Sequence, residues 1–395
     1  MSDRIWLGIT VLSSIIWIYL LGFRGQFWRS NQRLNQSTTE LESYPSVCAV
    51  IPARNEAELL AKTLRSLLNQ DYPGSFSVIL VDDQSTDGTA KIAREVAETL
   101  NKTRQLEIIS ANPLPPGWTG KLWALEQGIC HAQKRTQPPD YFLFTDADIE
   151  HDRTNLRQLV IKAKTENLNL VSLMVLLRCQ SLWEKILIPA FIFFFQKLYP
   201  FPWVNDPKKA TAAAAGGCIL IEREALDRIG GIQIVRQALI DDCSLAQTVK
   251  FQTLSDNSKS IWLGLTTSTR SLRPYPSLAS IWNMVARTAF TQLNYSSLLL
   301  MGTLLGMTLV YLVPPLALII GGAMGNERVA STGLVTWLLM TVAYLPTIRL
   351  YGLSPLWAVC LPAIAFLYTL MTIDSALRHW YGQGGAWKGR VYPQP

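Results

Sequence analysis

Two uncharged ends bracketing a polar middle constrain this chain of 395 residues more than any other feature. Ile5 to Phe23 forms a nearly uncharged run that, at about 1.5 Å per helical residue, covers a hydrocarbon layer of about 30 Å. Leu298–Ile320, Val329–Ile348 and Leu350–Ile373 are three more charge-free stretches of spanning length, divided by Gly321-Gly322 and by Arg349–Pro355. Between them, residues 24–297 carry an ordinary polar mixture. Charged residues make up only 16% of the chain and hydrophobic ones 49%, which excludes an ordinary soluble enzyme of this size.

The layout predicts a membrane anchor over 1–23, a linker over 24–43, a soluble domain over 44–297, a membrane region of about three helices over 298–375, and a tail over 376–395. Bulky Phe23, Phe27 and Trp28 stand where a cleaved signal peptide needs small residues, so the first run reads as an uncleaved anchor. Arg24, Arg29 and Arg33 follow it against Arg4 before it, which places the soluble domain in the cytoplasm of a multi-pass membrane protein. Four alternating crossings put Arg349 inside, and put Arg378, Lys388 and Arg390 outside, where the same rule disfavours them. Ile186–Trp203 is also apolar, with only Lys197 charged and prolines at 189, 200 and 202. It reads as a segment lying in the cytoplasmic interface, because a single crossing would put acidic residues before and after it on opposite sides.

The net charge of +7 does not indicate nucleic acid, since Lys and Arg are scattered with no basic stripe among aromatics. Attraction to anionic lipid headgroups accounts for the excess. The six cysteines have no CxxC spacing and read as reduced thiols, and Cys130 beside His131 does not suit a metal, because adjacent helical residues point apart.

Within the soluble domain, β-type runs alternate with helical patterns: strands at Val47–Ile51, Ser77–Val81, Leu106–Ile109, Tyr141–Thr145 and Leu170–Met174, helices at Glu56–Asn69, Gly88–Leu100, Lys121–Ala132 and Thr154–Lys164. This is the signature of an α/β fold with a mostly parallel sheet, whose ligands bind at the carboxyl ends of the strands. Polar residues stand just there. Pro52-Ala53-Arg54-Asn55-Glu56 follows the first strand and Asp82-Asp83-Gln84-Ser85-Thr86-Asp87-Gly88 the second. Asp82 or Asp83 suits a ribose hydroxyl or a base N–H, whereas Asp87 reads as turn and cap chemistry. Asp146-Ala147-Asp148 follows the fourth strand; two carboxylates so close repel unless a cation joins them, and hard oxygens suit Mg²⁺ or Mn²⁺ bridging to a diphosphate.

The order PARNE, VDDQSTDGT, GKLWALEQG, DAD and then Asp241-Asp242 in ALIDDCSLA resembles family 2 glycosyltransferases of GT-A fold over about residues 44–295. More narrowly, WTGKLWALEQG, LIPAFIFFFQ, YPFPWVNDP, AAAAGGC and RSLRPYP, with the flanking spans, are similar to hopene-associated glycosyltransferases of the HpnB type. The resemblance implies an inverting transferase. Pro52, Arg54, Glu56, Asp82 or Asp83 and Lys121 then fall at the nucleotide, and Asp148 with Asp146 at the metal and donor diphosphate. Asp242 is the implied general base, with Asp241 next to it as the alternative.

Processive relatives carry QxxRW; here Met284-Val285-Ala286-Arg287-Thr288 keeps only the arginine. Arg287 can still meet the diphosphate, but single-sugar transfer is favoured over polymer synthesis. Apolar residues at helical spacing over Leu278–Leu293 indicate an interfacial helix at 278–293. The expected donor is a nucleotide-sugar, a UDP-sugar first, and the expected acceptor a hydroxyl on a membrane lipid, a hopanoid or related polyprenoid by the resemblance, received near the aromatic ledge Phe191–Trp203. The rival classes are a processive polysaccharide synthase and a noncatalytic membrane scaffold.

Overall fold

The computed structural model describes residues 2–34, 36–256, 260–382, 386–387 and 390–391; Lys388, expected in the tail, lies outside them. One mixed sheet organises the soluble domain. Its strands are β1 (Val47–Ala53), β2 (Phe76–Asp82), β3 (Leu106–Ser110), β4 (Tyr141–Thr145), β5 (Ile149–Glu150), β6 (Leu168–Leu176), β7 (Cys218–Glu222) and β8 (Ser260–Ser271), in the order β3-β2-β1-β4-β7-β6-β8-β5. Only β7 and β5 run against the others, through antiparallel pairing with β4 and β6 and with β8. The sheet is therefore mostly parallel, as its βα alternation requires.

Strands β1 and β4 are buried along their whole length, so they carry apolar side chains on both faces. Cys48 and Val50 pack on one face and Val47, Ala49, Ile51 and Ala53 on the other, dividing the core into two layers. Helix α2 (Ala57–Leu68) buries Leu60, Leu64 and Leu67 at helical spacing, and α3 (Thr89–Thr99) joins it on that face. Helix α4 (Gly120–Gln133) covers the opposite face. A Cβ at Gly128 would stand 2.4 Å from Val50 Cγ1, so only glycine lets the helix approach this closely. Pairing of β1 with β4 stops at Val50 while pairing with β2 continues to Ala53, and Pro52, which has no N–H to donate, stands at the split.

After α5 (Asn155–Thr165) and β6, the chain enters α6 (Leu182–Leu198) and the short α7 (Phe201–Val204) before returning to β7 and α8 (Arg223–Arg228). Ser181 and Glu184 form a reciprocal capping box at the start of α6. Both ends of this excursion are tied to neighbouring antiparallel strands, so it leaves and re-enters the sheet at one edge. Helix α9 (Asp241–Asp256) precedes β8, and α10 (Leu278–Ala286) follows it.

Among the described residues, four helical stretches are long and apolar enough to cross a membrane: Asp3–Phe23, Ser297–Ala323, Glu327–Leu350 and Pro355–Trp380. They correspond to α1 (Ser2–Phe23), to α11 (Ser297–Met307) joined to α12 (Val313–Ala323), to α13 (Glu327–Leu350), and to α14 (Leu361–Trp380) with the turn before it. Small residues set their packing. Gly333 lies against the Pro314 carbonyl and Gly321 against Ala330, where added Cβ atoms would come within 2.7 and 2.5 Å. The Trp17 indole N–H donates to the Val310 carbonyl at 2.8 Å. Helix α6 packs into this bundle more deeply than an interfacial segment needs to, with Leu187, Ile188 and Phe193 buried beside Trp17, Tyr311 and Tyr344.

Four alternating crossings part Arg378 from the soluble domain, yet it donates to the Asn283 side chain on α10 at 2.9 Å and pairs with Asp374, which accepts from the Trp282 indole. Leu350, at the end of α13, is packed in the sheet core. The segment from Leu350 to Arg378 thus meets the soluble domain at both ends.

Candidate active site

The acidic turn after β4 is built from beneath. Asn155 donates to His151 Nδ1, which leaves the proton on Nε2 to be donated to Thr145 Oγ1 at 2.9 Å; that hydroxyl in turn donates to the Gly217 carbonyl. Burial pushes the His151 imidazole down to about 3, so it stays neutral. This chain locks the last residue of β4 to the start of β7. It thereby orients Asp146 and Asp148.

Above the turn, Lys121 at the start of α4 places Nζ 3.0 Å from Asp146 Oδ1 and 3.5 Å from Asp241 Oδ2. Burial works against its charge, but Asp146, Asp241 and Asp242 more than offset that and hold the ammonium protonated. Asp242, in the first turn of α9, accepts from the Gly216 N–H and the Cys243 N–H, each at 2.8 Å. Burial first and then the Asp241 charge push its carboxyl up to about 6, against the pull of Lys121. Such a carboxylate suits a general base near neutral pH. Gly216 is small of necessity, since a Cβ there would lie 3.0 Å from Lys121 Nζ and 3.3 Å from Asp242 Oδ2.

Arg273 was not singled out from the sequence as a site residue. Its guanidinium donates from Nε to Asp148 Oδ2 at 2.5 Å and from Nη2 to Glu56 Oε1 at 2.7 Å, joining the turn after β4 to the start of α2. Asp148 and Glu56 are both nearly buried, so this shared cation offsets much of their repulsion. The one signal that could have found it is the RSLRPYP run after a β-type stretch. The Pro274–Tyr275 loop is itself pinned, because the fully buried Glu184 accepts from the Tyr275 N–H at 2.7 Å and pairs with Arg178.

One cavity of about 590 Å³ is lined among others by Pro52, Glu56, Lys121, Asp146, Asp148, Asp241, Asp242, Arg273 and Arg287. The expected interfacial helix at 278–293 is α10 followed by a short turn, and Ser280, Asn283, Met284, Arg287 and Thr288 face this cavity. It is therefore a wall of the site. Asp82, Asp83 and Arg54 are not among the lining residues. Arg54 donates to the Asp83 carbonyl at 2.8 Å and lies 3.7 Å from its carboxylate, while Asp82 accepts weakly from Ser85. Arg54 follows β1, the strand of Pro52, and Asp82 and Asp83 stand at the tip of the neighbouring β2. Asp87 is turn chemistry: it accepts from Thr89 at the start of α3 and from the Ala57 N–H at the start of α2. The six cysteines are free, and His131 faces Glu107 rather than Cys130.

A divalent cation fits the donor set. Lys121 takes one oxygen of Asp146 and Arg273 one oxygen of Asp148, which leaves the second oxygen of each to a hard ion. Among the described residues no three His, Cys, Asp or Glu side chains are grouped to hold a metal. Two carboxylates with the remaining ligands from substrate phosphates is the arrangement Mg²⁺ commonly adopts.

An open α/β sheet with these groups at its strand ends, flanked by apolar helices, has the GT-A fold of glycosyltransferases. A mannosyltransferase from Pyrobaculum calidifontis, solved with GDP-Man and Mn²⁺, superposes on 95% of this chain and 99% of its own with a TM-score of 0.53 at 18% identity. Residues 48–230 match the family described as Glycosyl transferase family 2. A 4,4'-diaponeurosporenoate glycosyltransferase of Staphylococcus haemolyticus is 34% identical over 125 residues, 31% of this chain and 30% of that protein. A probable glycosyltransferase of Bacillus subtilis, YdaM, is 27% identical over 157 residues, 38% of this chain and 35% of its own. The chain spans about a third of the length of these curated relatives.

Proposed function

We propose that this chain is an inverting, metal-dependent glycosyltransferase that moves one sugar from a nucleotide-sugar, a UDP-sugar first, to a hydroxyl of a membrane lipid of hopanoid or related polyprenoid type. The observation that carries the reading is the meeting of Asp146, Lys121 and Asp242, distant along the chain, around one cavity. Asp242 takes the proton as the acceptor oxygen bonds to the anomeric carbon. The bond from that carbon to the diphosphate breaks with its electron pair, on the face opposite the attack. Asp146 and Asp148 would hold the cation, which when bound would neutralise charge on the departing diphosphate. Arg287 and Arg273 line the same space and suit the diphosphate by charge. Pro52, Arg54, Glu56 and Asp82 or Asp83 flank the nucleotide side. The relatives named for diaponeurosporenoate support a polyprenoid lipid as acceptor.

Membranes holding the full chain, supplied with radiolabelled UDP-glucose, UDP-N-acetylglucosamine or GDP-mannose, are expected to pass label into a lipid extract. Label in an insoluble polymer instead would favour a processive synthase; no transfer from any donor, despite intact protein, would favour a noncatalytic scaffold.

For the membrane, the soluble domain is placed at the cytoplasmic face. Crossings are assigned to α1, to α11 with α12, and to α13, with α14 dipping in and returning to the side it left. The Val359 carbonyl accepts from the Trp337 indole, mid-way along α13, while Phe290 donates to Ser375 near the end of α14. That assignment brings Arg378 to the inner side, as the distribution of positive charge favours.

A further inference from the structure

A second cavity, of about 760 Å³, adjoins the first. Thr119, Ala238, Leu239 and Arg287 line both, so the two spaces share one wall. Cys243, which directly follows Asp242, faces the second. The two differ in chemistry. The first gathers Glu56, Asp146, Asp148, Asp241 and Asp242; among the described residues no Asp, Glu or Lys lines the second, whose basic side chains are Arg287 and His379. Trp118, Leu198, Tyr199, Phe290 and Tyr295 give part of it an aromatic and apolar lining, beside uncharged polar side chains such as Gln237, Gln247 and Gln292. Nothing in it suits a second nucleotide diphosphate.

One side of this cavity comes from segments placed at the membrane: the end of α6, the stretch after α10, and the end of α14. Asn294 and Tyr295 there have φ of 50° and 56°; asparagine adopts this left-handed form readily, whereas a bulky tyrosine holds it when packing enforces it. The enforcing contacts are visible. Tyr295 stacks on His379 at 4.4 Å between ring centroids, and Phe290 packs edge-on to Tyr295 at 5.8 Å. The C-terminal helix and the turn before α11 thus hold each other in place to form the wall.

The geometry points to this second cavity as the seat of the acceptor: it takes the apolar body of a hydroxylated polyprenoid, with the hydroxyl passing beside Arg287 toward Asp242. This rests on the reading of the chain as a transferase to a membrane lipid. Cavities of about 300–1,000 Å³ bury most of the surface of one such body. The aromatic lining supplies contact without adding charge. The acceptor then approaches between α14 and the far end of the Phe191–Trp203 ledge, whose Leu198 and Tyr199 line this cavity. Phe191 and Phe195 face the first cavity instead.

Two substitutions that fill the space, Ser244→Trp and Thr291→Trp, test the assignment in the full chain reconstituted in phosphatidylethanolamine vesicles with a tritiated triterpene alcohol. Each is expected to raise the KM for that alcohol at least tenfold, with the Kd for the nucleotide-sugar within twofold of the unaltered chain. An unchanged acceptor KM in both, with the same donor Kd, overturns the assignment while leaving the transferase reading intact. Crosslinking provides a second measurement that needs neither turnover nor a filled cavity. Benzoylphenylalanine at Tyr295, irradiated with the tritiated alcohol present, is expected to carry label into the chain; no label there overturns the assignment. Transfer that fails in the unaltered chain with every donor sinks the transferase reading instead, and the crosslinking result then decides the cavity alone.

Discussion

The Lys121 ammonium stands 3.0 Å from Asp146 Oδ1, tying the first turn of α4 to the acidic turn after β4. The same ammonium lies 3.5 Å from Asp241, so one cation serves the donor side and the base side of the cavity. Its charge holds Asp242 below the value that burial and Asp241 alone would give. In the unaltered chain Asp242 must be ionised to accept a proton, so kcat/KM is expected to fall about tenfold per pH unit below about 6. Lys121→Met removes the lowering influence and moves that limb to higher pH. A pH–rate profile checks the sign; an acid limb that stays in place or moves down would show that Lys121 does not act on the base.

Asp242→Asn is expected to lower turnover about 10²–10⁴-fold while leaving donor affinity near normal. Asp148→Asn acts differently, weakening nucleotide-sugar binding and Mn²⁺ dependence together. Calorimetric titration of donor, with and without the cation, separates the two. Full turnover in Asp242→Asn would shift the base to Asp241.

Arg273→Ala leaves the carboxylates of Glu56 and Asp148 facing each other without their shared cation. A cost of about 1–3 kcal/mol in stability is expected, at the modest end for a charged pair because Arg273 itself is about a third exposed. Thermal unfolding in detergent measures it. Arg273→Lys should recover part of the stability but not the two-pronged geometry. An unfolding midpoint equal to that of the unaltered chain would mean the bridge contributes nothing.

How far the sequence could be read depended on whether the signal was local. The parallel strands β1, β2, β3, β4 and β6 announced themselves as short apolar runs separated by helical periodicity, and the acidic groups after β2 and β4 fell where such sheets expose their ligands. β7 and β8 were not separated out as strands: the motif AAAAGGC reaches only Cys218, the first residue of β7, and β7 owes its place to antiparallel pairing with β4 and β6, which no local pattern encodes. Arg273 was hidden for the same reason, because its partners Glu56 and Asp148 lie 217 and 125 residues away in the chain. The depth of α6 follows from packing on α13 and α14, which no local pattern encodes.

Side-specific labelling tests the path of the C-terminal helices. Single cysteines at Gly325, between α12 and α13, and at Tyr381, after α14, are both exposed. In sealed vesicles Tyr381→Cys is expected to react from the same side as Lys134→Cys on the soluble domain, and Gly325→Cys from the other. If Tyr381→Cys and Gly325→Cys react together, α14 crosses the membrane and the returning path is wrong.

Gly216 isolates the geometry of the site from its charges. It bears no ionisable group, its N–H already donates to Asp242, and a methyl group there presses on Lys121 Nζ and Asp242 Oδ2 at once. Both contacts are with side-chain ends that can retreat a few tenths of an ångström, so the sheet should survive. What should not survive is the spacing between ammonium and base. Gly216→Ala is therefore expected to keep the unfolding midpoint within a few degrees while lowering kcat about tenfold or more, since sub-ångström displacement of a positioned group costs rate steeply. Donor affinity should change less than kcat. A variant with unaltered kcat would show that Lys121 and Asp242 tolerate rearrangement, and that the spacing seen between them is not what the chemistry requires.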